Sequence, residues 1–257
     1  MTSWVRFRHQ DVSGFGTISQ SEITVHDGEM FGKSRANGRC LGLSEVELLA
    51  PSEPSKIIAL WNNFHALAAK LNVSEPDEPL YLLKAPTTAA APNAVVKRPM
   101  SYDGKVVYEG ELAIVIGRTC SGVSIDQADA FIHGYTCVND ITAADVISRD
   151  ATFAQWARAK GFDRFCPFGP VIASGIDPAK LVVRTILDGE ERQSYPILDM
   201  IFSVQELVSK ISHDMTLLPG DLICCGTSLG VGSMKKPVNK ITVAIDGIGE
   251  LTNEFRQ

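Results

Sequence analysis

The fragment Tyr108-Glu109-Gly110-Glu111-Leu-Ala-Ile-Val-Ile116 constrains this chain more than any other. Side chains of an extended strand alternate between faces, so Glu109 and Glu111 share one face, about 6–7 Å apart. Their next neighbours on that face, Ala113 and Val115, are apolar, and so are Leu112, Ile114 and Ile116 on the other. A strand apolar on both faces belongs in a sheet that is covered on both sides. Two like charges on such a face are costly unless a proton or a cation neutralises them. Either the glutamate end of the strand projects into solvent, or the fold brings a counter-charge to it.

A third carboxylate favours the second option. Val138-Asn139-Asp140 closes the apolar run Phe131–Val138, which puts Asp140 at a strand end. Aspartate after asparagine is also a common turn residue. Three oxygen ligands without a His/Cys cluster suit a hard ion, Mg²⁺ or Mn²⁺, with positions left open for a substrate. Such a centre keeps about one net negative charge, so an anionic substrate would need cations nearby. Lys84 in Leu82-Leu83-Lys84-Ala85-Pro86 and Lys160 in Ala159-Lys160-Gly161-Phe162 have apolar-aromatic neighbours, and each reads equally as site or surface.

The loop Gly226-Thr-Ser-Leu-Gly-Val-Gly232 follows a strand-like run, Asp221–Cys225. It lacks the Gly-Lys-Ser/Thr of a phosphate loop, and Met-Lys-Lys-Pro stands where a helix should begin. Its backbone amides and the Thr227 hydroxyl suit a carboxylate; a plain glycine turn is the other reading. His65 opens a helical stretch beside Phe64, as either a packed residue or a base. His9, His26, His133 and His213 form no helical pair or triad-like pattern, so a serine-hydrolase arrangement is not indicated.

Composition excludes several other classes. The 257 residues carry 24 Lys+Arg against 30 Asp+Glu, a net charge of −6, with no basic run. That leaves no electrostatic footprint for nucleic acid or an anionic membrane. Apolar stretches reach only about five residues, far short of a bilayer span, and the N-terminus lacks the apolar core of a secretory signal. A cytoplasmic protein is the expectation. The six cysteines include no C-x-x-C pair, and adjacent Cys224 and Cys225 point to opposite faces of a strand, so reduced buried thiols are expected.

Residues 1–50 read as short strands, Trp4–Phe7, Gly14–Ile18 and Ile23–Val25, forming a small N-terminal domain before the linker Pro51-Ser-Glu-Pro-Ser55. Residues 51–257 form the main domain. Its expected strands are Lys56–Trp61, Lys105–Arg118 (broken near Gly110), Phe131–Val138, Leu181–Leu187, Asp221–Cys225 and Lys240–Ile245. Helices are predicted around Asn63–Leu71, over Thr152–Lys160, and after the capping box Ser203-Val-Gln-Glu206. Few helices among many strands, without βαβ alternation, indicate a β-rich α+β fold.

These pieces together resemble the fumarylacetoacetate hydrolase superfamily, in its bacterial branch of 2-oxo acid hydrolases, hydratases, isomerases and decarboxylases. The matching segments run from Pro54 to about Asn253, and include Leu-Leu-Lys84-Ala-Pro, Glu109-Gly-Glu111-Leu-Ala-Ile-Val-Ile-Gly, Gly134-Tyr-Thr-Cys-Val-Asn139-Asp140, Lys160-Gly-Phe-Asp163, Met215-Thr-Leu-Leu-Pro-Gly220-Asp and Gly226-Thr227 with Gly-Val-Gly232. The resemblance implies a mixed β-sandwich roll, a homodimer, and Mg²⁺ or Mn²⁺ on Glu109, Glu111 and Asp140. It implies a small 2-oxo acid substrate and a metal-stabilised enolate. His65 and Lys160 would be catalytic, and Lys84, Thr227 and Gly226 would bind substrate.

Departures from the family pattern bear on the reaction. Where members with a lid His–Glu dyad carry glutamate three residues after the histidine, this chain has Ala68; Glu75 or Asp77 would have to supply the partner. A usual arginine is Ala144, a glutamine three positions on is Ile147, and Trp61-Asn62 replaces Asn-Tyr. Loss of two polar partners implies a smaller or more apolar substrate tail. The favoured reaction is C–C hydrolysis of an acylpyruvate- or fumarylpyruvate-like acid. Isomerisation, hydration or decarboxylation of a 2-hydroxymuconate- or oxaloacetate-like acid in aromatic catabolism is the alternative. A non-catalytic oxo-acid-binding relative is the reading from another class.

Overall fold

The computed structural model describes residues 1–257. A twelve-stranded mixed sheet forms the main layer, and its order interleaves distant parts of the chain. At one end lies a meander of Thr2–His9, Val12–Ser19, Glu22–Gly28 and Ser34–Gly42. Next come Cys166–Ser174, Ile132–Asn139, Gly110–Ile116, Leu222–Cys224, Ile57–Trp61 and Leu80–Lys84. The first strand pairs antiparallel with Cys166–Ser174, Thr2 opposite Ser174, so the N-terminal meander is hydrogen-bonded into the same sheet as the main body. A five-stranded sheet built from Val182–Leu187, Glu190–Pro196, Val238–Ile245, Gly249–Arg256 and Val95–Lys97 packs against this layer.

Alternation along Gly110–Ile116 now has a physical meaning. Leu112, Ile114 and Ile116 enter the main core with Val183, Val243 and Leu251 of the smaller sheet. Ala113 and Val115 enter a separate core with Ile57, Phe168 and Cys224. Every residue of this strand is buried. Cys224 and Cys225 likewise fall into different cores. All six cysteines are free thiols, five of them buried; Cys40 is exposed, against the expectation of burial.

Several sequence readings shift at their edges. The break expected near Gly110 falls at Glu109, where the chain leaves a three-stranded sheet through Val106–Tyr108 and enters the large one. The helix expected over Thr152–Lys160 spans only Trp156–Lys160, because Asp150 Oδ1 accepts from the backbone N and hydroxyl of Thr152 and holds a turn there. Ser34–Gly42 is a strand without a sequence signature, since its polar run with Asn37 and Gly38 has no alternating pattern. The capping box at Ser203 forms, and the helix Val204–Asp214 buries Val204, Leu207, Val208 and Ile211. Pro51–Ser55 is a tethered connection: Ser52 Oγ donates to the Gly220 carbonyl, and Ser55 and Lys56 bond to buried Asp221.

Candidate active site

Glu109, Glu111 and Asp140 converge where the three-stranded and twelve-stranded sheets meet, with one carboxylate oxygen of each within 4.8 Å of the others. The convergence is fixed by backbone. Asp140 N donates to the Glu109 carbonyl at 2.8 Å, and the Asn139 side chain accepts from Glu109 N at 3.1 Å. Asp140 therefore emerges from the end of Ile132–Asn139 directly beside the glutamates. Gly110 between them has no room for a side chain: a Cβ there would lie 1.9 Å from Thr185 Oγ1 of the facing sheet. Its backbone is also pinned, with its N–H donating to Gln193 and its carbonyl accepting from Tyr195 and Thr227.

Two lysines compensate the carboxylates. Lys160 Nζ donates to Glu109 at 2.8 Å, Asp140 at 2.6 Å and Thr142 Oγ1 at 2.7 Å. Lys84 Nζ pairs with the other Asp140 oxygen and with the Phe165 carbonyl. Burial alone would raise the Asp140 pKa, but Lys160 and Lys84 outweigh it and hold the carboxyl below its usual range. Glu111 goes the other way. Burial, with Asp140 beside it, pushes its pKa well above normal despite the Lys160 charge. Lys160 would be lowered by burial; Asp140, Glu109 and Glu111 reverse that and raise it.

The donor set fits a hard divalent cation. Glu111 Oε2 accepts from Gly226 N at 3.0 Å, whereas Glu111 Oε1 is buried with no hydrogen-bond partner. A buried carboxylate oxygen without a partner is expensive, and a cation among three carboxylates would satisfy it. All-oxygen ligation with only three protein ligands matches ions that keep open coordination positions.

A cavity of about 370 Å³ opens onto Glu109, Thr142, Lys160 and Thr227. Its other walls include Trp61, Leu67, Ile147, Trp156 and Val231. Thr227 and Gly226 both sit at the triad, although the Gly226 amide serves Glu111 directly. The positive φ of Gly226, 88°, favours glycine there. Lys84 is placed differently from the expected substrate contact: its side chain is fully enclosed behind Asp140 and does not line the cavity.

His65 is the other departure. It begins the helix His65–Leu71, and its Nδ1 lies 2.6 Å from Glu75 Oε1, so the carboxylate partner comes from the Pro-rich loop. Both side chains are about half exposed, 49% and 51%, and neither lines the cavity; Leu67 and Leu71 of the same helix do. Sequence reasoning had no candidate role for Thr142, Lys105 or Trp156. Thr142 follows Asp140 by two, and that spacing was the one available signal: its hydroxyl joins Lys160 to Glu109.

The fumarylacetoacetate (FAA) hydrolase C-terminal family matches residues 56–256, and the Rv2993c-like N-terminal family matches residues 3–51. The chain belongs to the fumarylacetoacetate hydrolase family. As a member of that superfamily of enzymes, it is 41% identical to Protein Rv2993c of Mycobacterium tuberculosis over 92% of this chain and 87% of that one. It is 41% identical to oxaloacetate tautomerase YisK of Bacillus subtilis over 83% of this chain and 74% of that one. The 2-hydroxyhepta-2,4-diene-1,7-dioate isomerase structure from Mycobacterium marinum superposes with a TM-score of 0.90 at 37% identity, covering 100% of this chain and 98% of that one. No helix in this family member is long and apolar enough to cross a membrane.

Proposed function

We propose that this chain is a Mg²⁺- or Mn²⁺-dependent enzyme that moves a proton between the enol and keto forms of a 2-oxo acid. The observation that carries this reading is the placement of Lys160, which touches Glu109, Asp140 and Thr142 and also lines the cavity. A divalent ion on the three carboxylates would polarise the 2-oxo carbonyl and stabilise negative charge on its oxygen. The chain's own groups supply the rest. With both lysines and a divalent ion counted, the three carboxylates leave about one net positive charge, which favours an anionic substrate. Thr227 lines the cavity, its hydroxyl accepting from Gln193 Nε2 at 2.9 Å and donating to the Gly110 carbonyl at 3.2 Å. The Lys160 ammonium would give a proton to the substrate carbon and regain one from the enol hydroxyl, so that it ends as it began, and the apolar walls keep water from competing for it. Similarity to a tautomerase and an isomerase supports the same class.

A specific observation favours a second reading, C–C hydrolysis, in which His65 activates water. The His65–Glu75 pair is the orienting geometry such a base needs. One assay separates the two. Ultraviolet decay of enol-oxaloacetate and enol-phenylpyruvate reports tautomerisation, and pyruvate release from acetylpyruvate reports hydrolysis, each with and without Mg²⁺. The proposal expects ion-dependent enol decay that Glu111→Ala abolishes. Pyruvate release without accelerated enol decay would establish hydrolysis instead. Ligand binding without turnover of any of the three substrates would favour the non-catalytic reading. The homodimer implied by the resemblance belongs to the same proposal, and sedimentation of the full chain tests it.

A further inference from the structure

We infer that the cavity selects a 2-oxo acid with an uncharged apolar or aryl tail over one whose tail ends in a second carboxylate. This rests on the 2-oxo acid reading above and names the substrate class within it. Away from Glu109 and Lys160 the larger side chains of the walls are Leu60, Trp61, Leu67, Ile147, Trp156 and Val231, with Asn62 and Ser233 as uncharged polar neighbours. The Trp61 and Trp156 ring centroids lie 5.6 Å apart with the rings tilted by 49°, so the two side chains adjoin and give the cavity an aromatic corner. Trp61 ends the strand Ile57–Trp61, and Trp156 begins the short helix that ends at Lys160. Trp156 and Lys160 thus share one short helix, which ties the aromatic side of the cavity to the lysine at the carboxylates.

The cations are already assigned elsewhere. Lys160 is committed to Glu109, Asp140 and Thr142, and Lys84 is sealed behind Asp140. No arginine lines the cavity. Lys105 is the remaining cation, and it is solvent-exposed at the rim, where water and salt weaken its pull on a distant carboxylate. A tail carboxylate would therefore lose its hydration against apolar walls without a buried partner, whereas an aryl tail exchanges water for tryptophan and aliphatic surface.

Two non-reactive probes with the same oxalyl head isolate the tail: N-phenyloxamate and N-oxalylglycine, titrated calorimetrically into the full chain with saturating Mg²⁺. N-phenyloxamate is expected to bind at least about tenfold tighter, the change produced by burying most of one ring. Equal affinity, or tighter N-oxalylglycine, overturns the inference. Val231→Arg, on a partly exposed loop, and Ile147→Arg should each shift the affinity ratio toward N-oxalylglycine by about tenfold. An unchanged ratio in both variants, with unfolding temperatures near that of the parent, also overturns it. Turnover then gives the corresponding order, enol-phenylpyruvate ahead of enol-oxaloacetate in kcat/KM. If neither probe binds and neither enol is turned over, the 2-oxo acid reading has failed. Binding in the opposite order defeats only the tail assignment.

Discussion

The carboxylate floor and the His65–Glu75 pair at the rim are both acid–base constellations, yet they are built on opposite physical terms. On the floor, Asp140 and Glu111 are fully buried, their backbones belong to paired strands or the residue after one, and two lysines supply counter-charge. At the rim, a single ion pair joins a helix start to a loop, with both partners about half exposed. Buried charges must be matched nearly one for one, so the floor is rigid and intolerant. An exposed pair contributes about 1 kcal/mol or less to stability and can be remade in another conformation. The difference separates a constellation fixed by burial from one that is free to adjust.

The largest effect that would break the comparison is on activity. Glu111→Ala should reduce turnover by about 10²–10³-fold and abolish divalent-ion binding in calorimetry. Retained ion binding would move the centre away from Glu111. Next in size is Lys84→Met, which removes one of two cations from buried Asp140. It should destabilise the fold by about 3–5 kcal/mol in urea unfolding, although Lys84 does not line the cavity. A small loss there would mean that Lys160 alone compensates the floor.

Divalent ion itself should stabilise the protein, because it gives the orphaned Glu111 oxygen a partner. At about one hundred times the dissociation constant, Mg²⁺ should add about 2.7 kcal/mol, read as a rise in unfolding temperature that EDTA reverses. The smallest stability effect belongs to the rim: Glu75→Gln should cost about 1 kcal/mol or less. Its kinetic effect sharpens the contrast. Enol–keto exchange should change by no more than about threefold, whereas a hydrolase using His65 as base would lose about a hundredfold.

How far the site was legible depends on the range of the interaction. Glu109, Glu111 and Asp140 could be found because strand alternation and a strand end are local properties, written within a few residues. The box at Ser203 was legible for the same reason. The partner of His65 was open between Glu75 and Asp77, since a loop's path is not encoded by periodicity; the fold brings Glu75 to it. Lys84 and Lys160 looked alike in sequence, each a lysine among apolar neighbours. Only packing sends one behind Asp140 and the other into the cavity.

By itself the sequence determined that a buried strand carries two carboxylates on one face, that the chain is β-rich, and that its resemblance lies with 2-oxo acid enzymes. Those are consequences of residue order and short-range geometry. The tertiary structure decided what neutralises the charges, which side chains wall the cavity, and how the first fifty residues join the rest. Lys84 and Asp140 are 56 residues apart, Glu111 and Gly226 are 115 apart, and Trp61 meets Trp156 across a similar span. Such pairings depend on which strands become neighbours in the sheet, and that is settled by burial of the whole apolar surface at once.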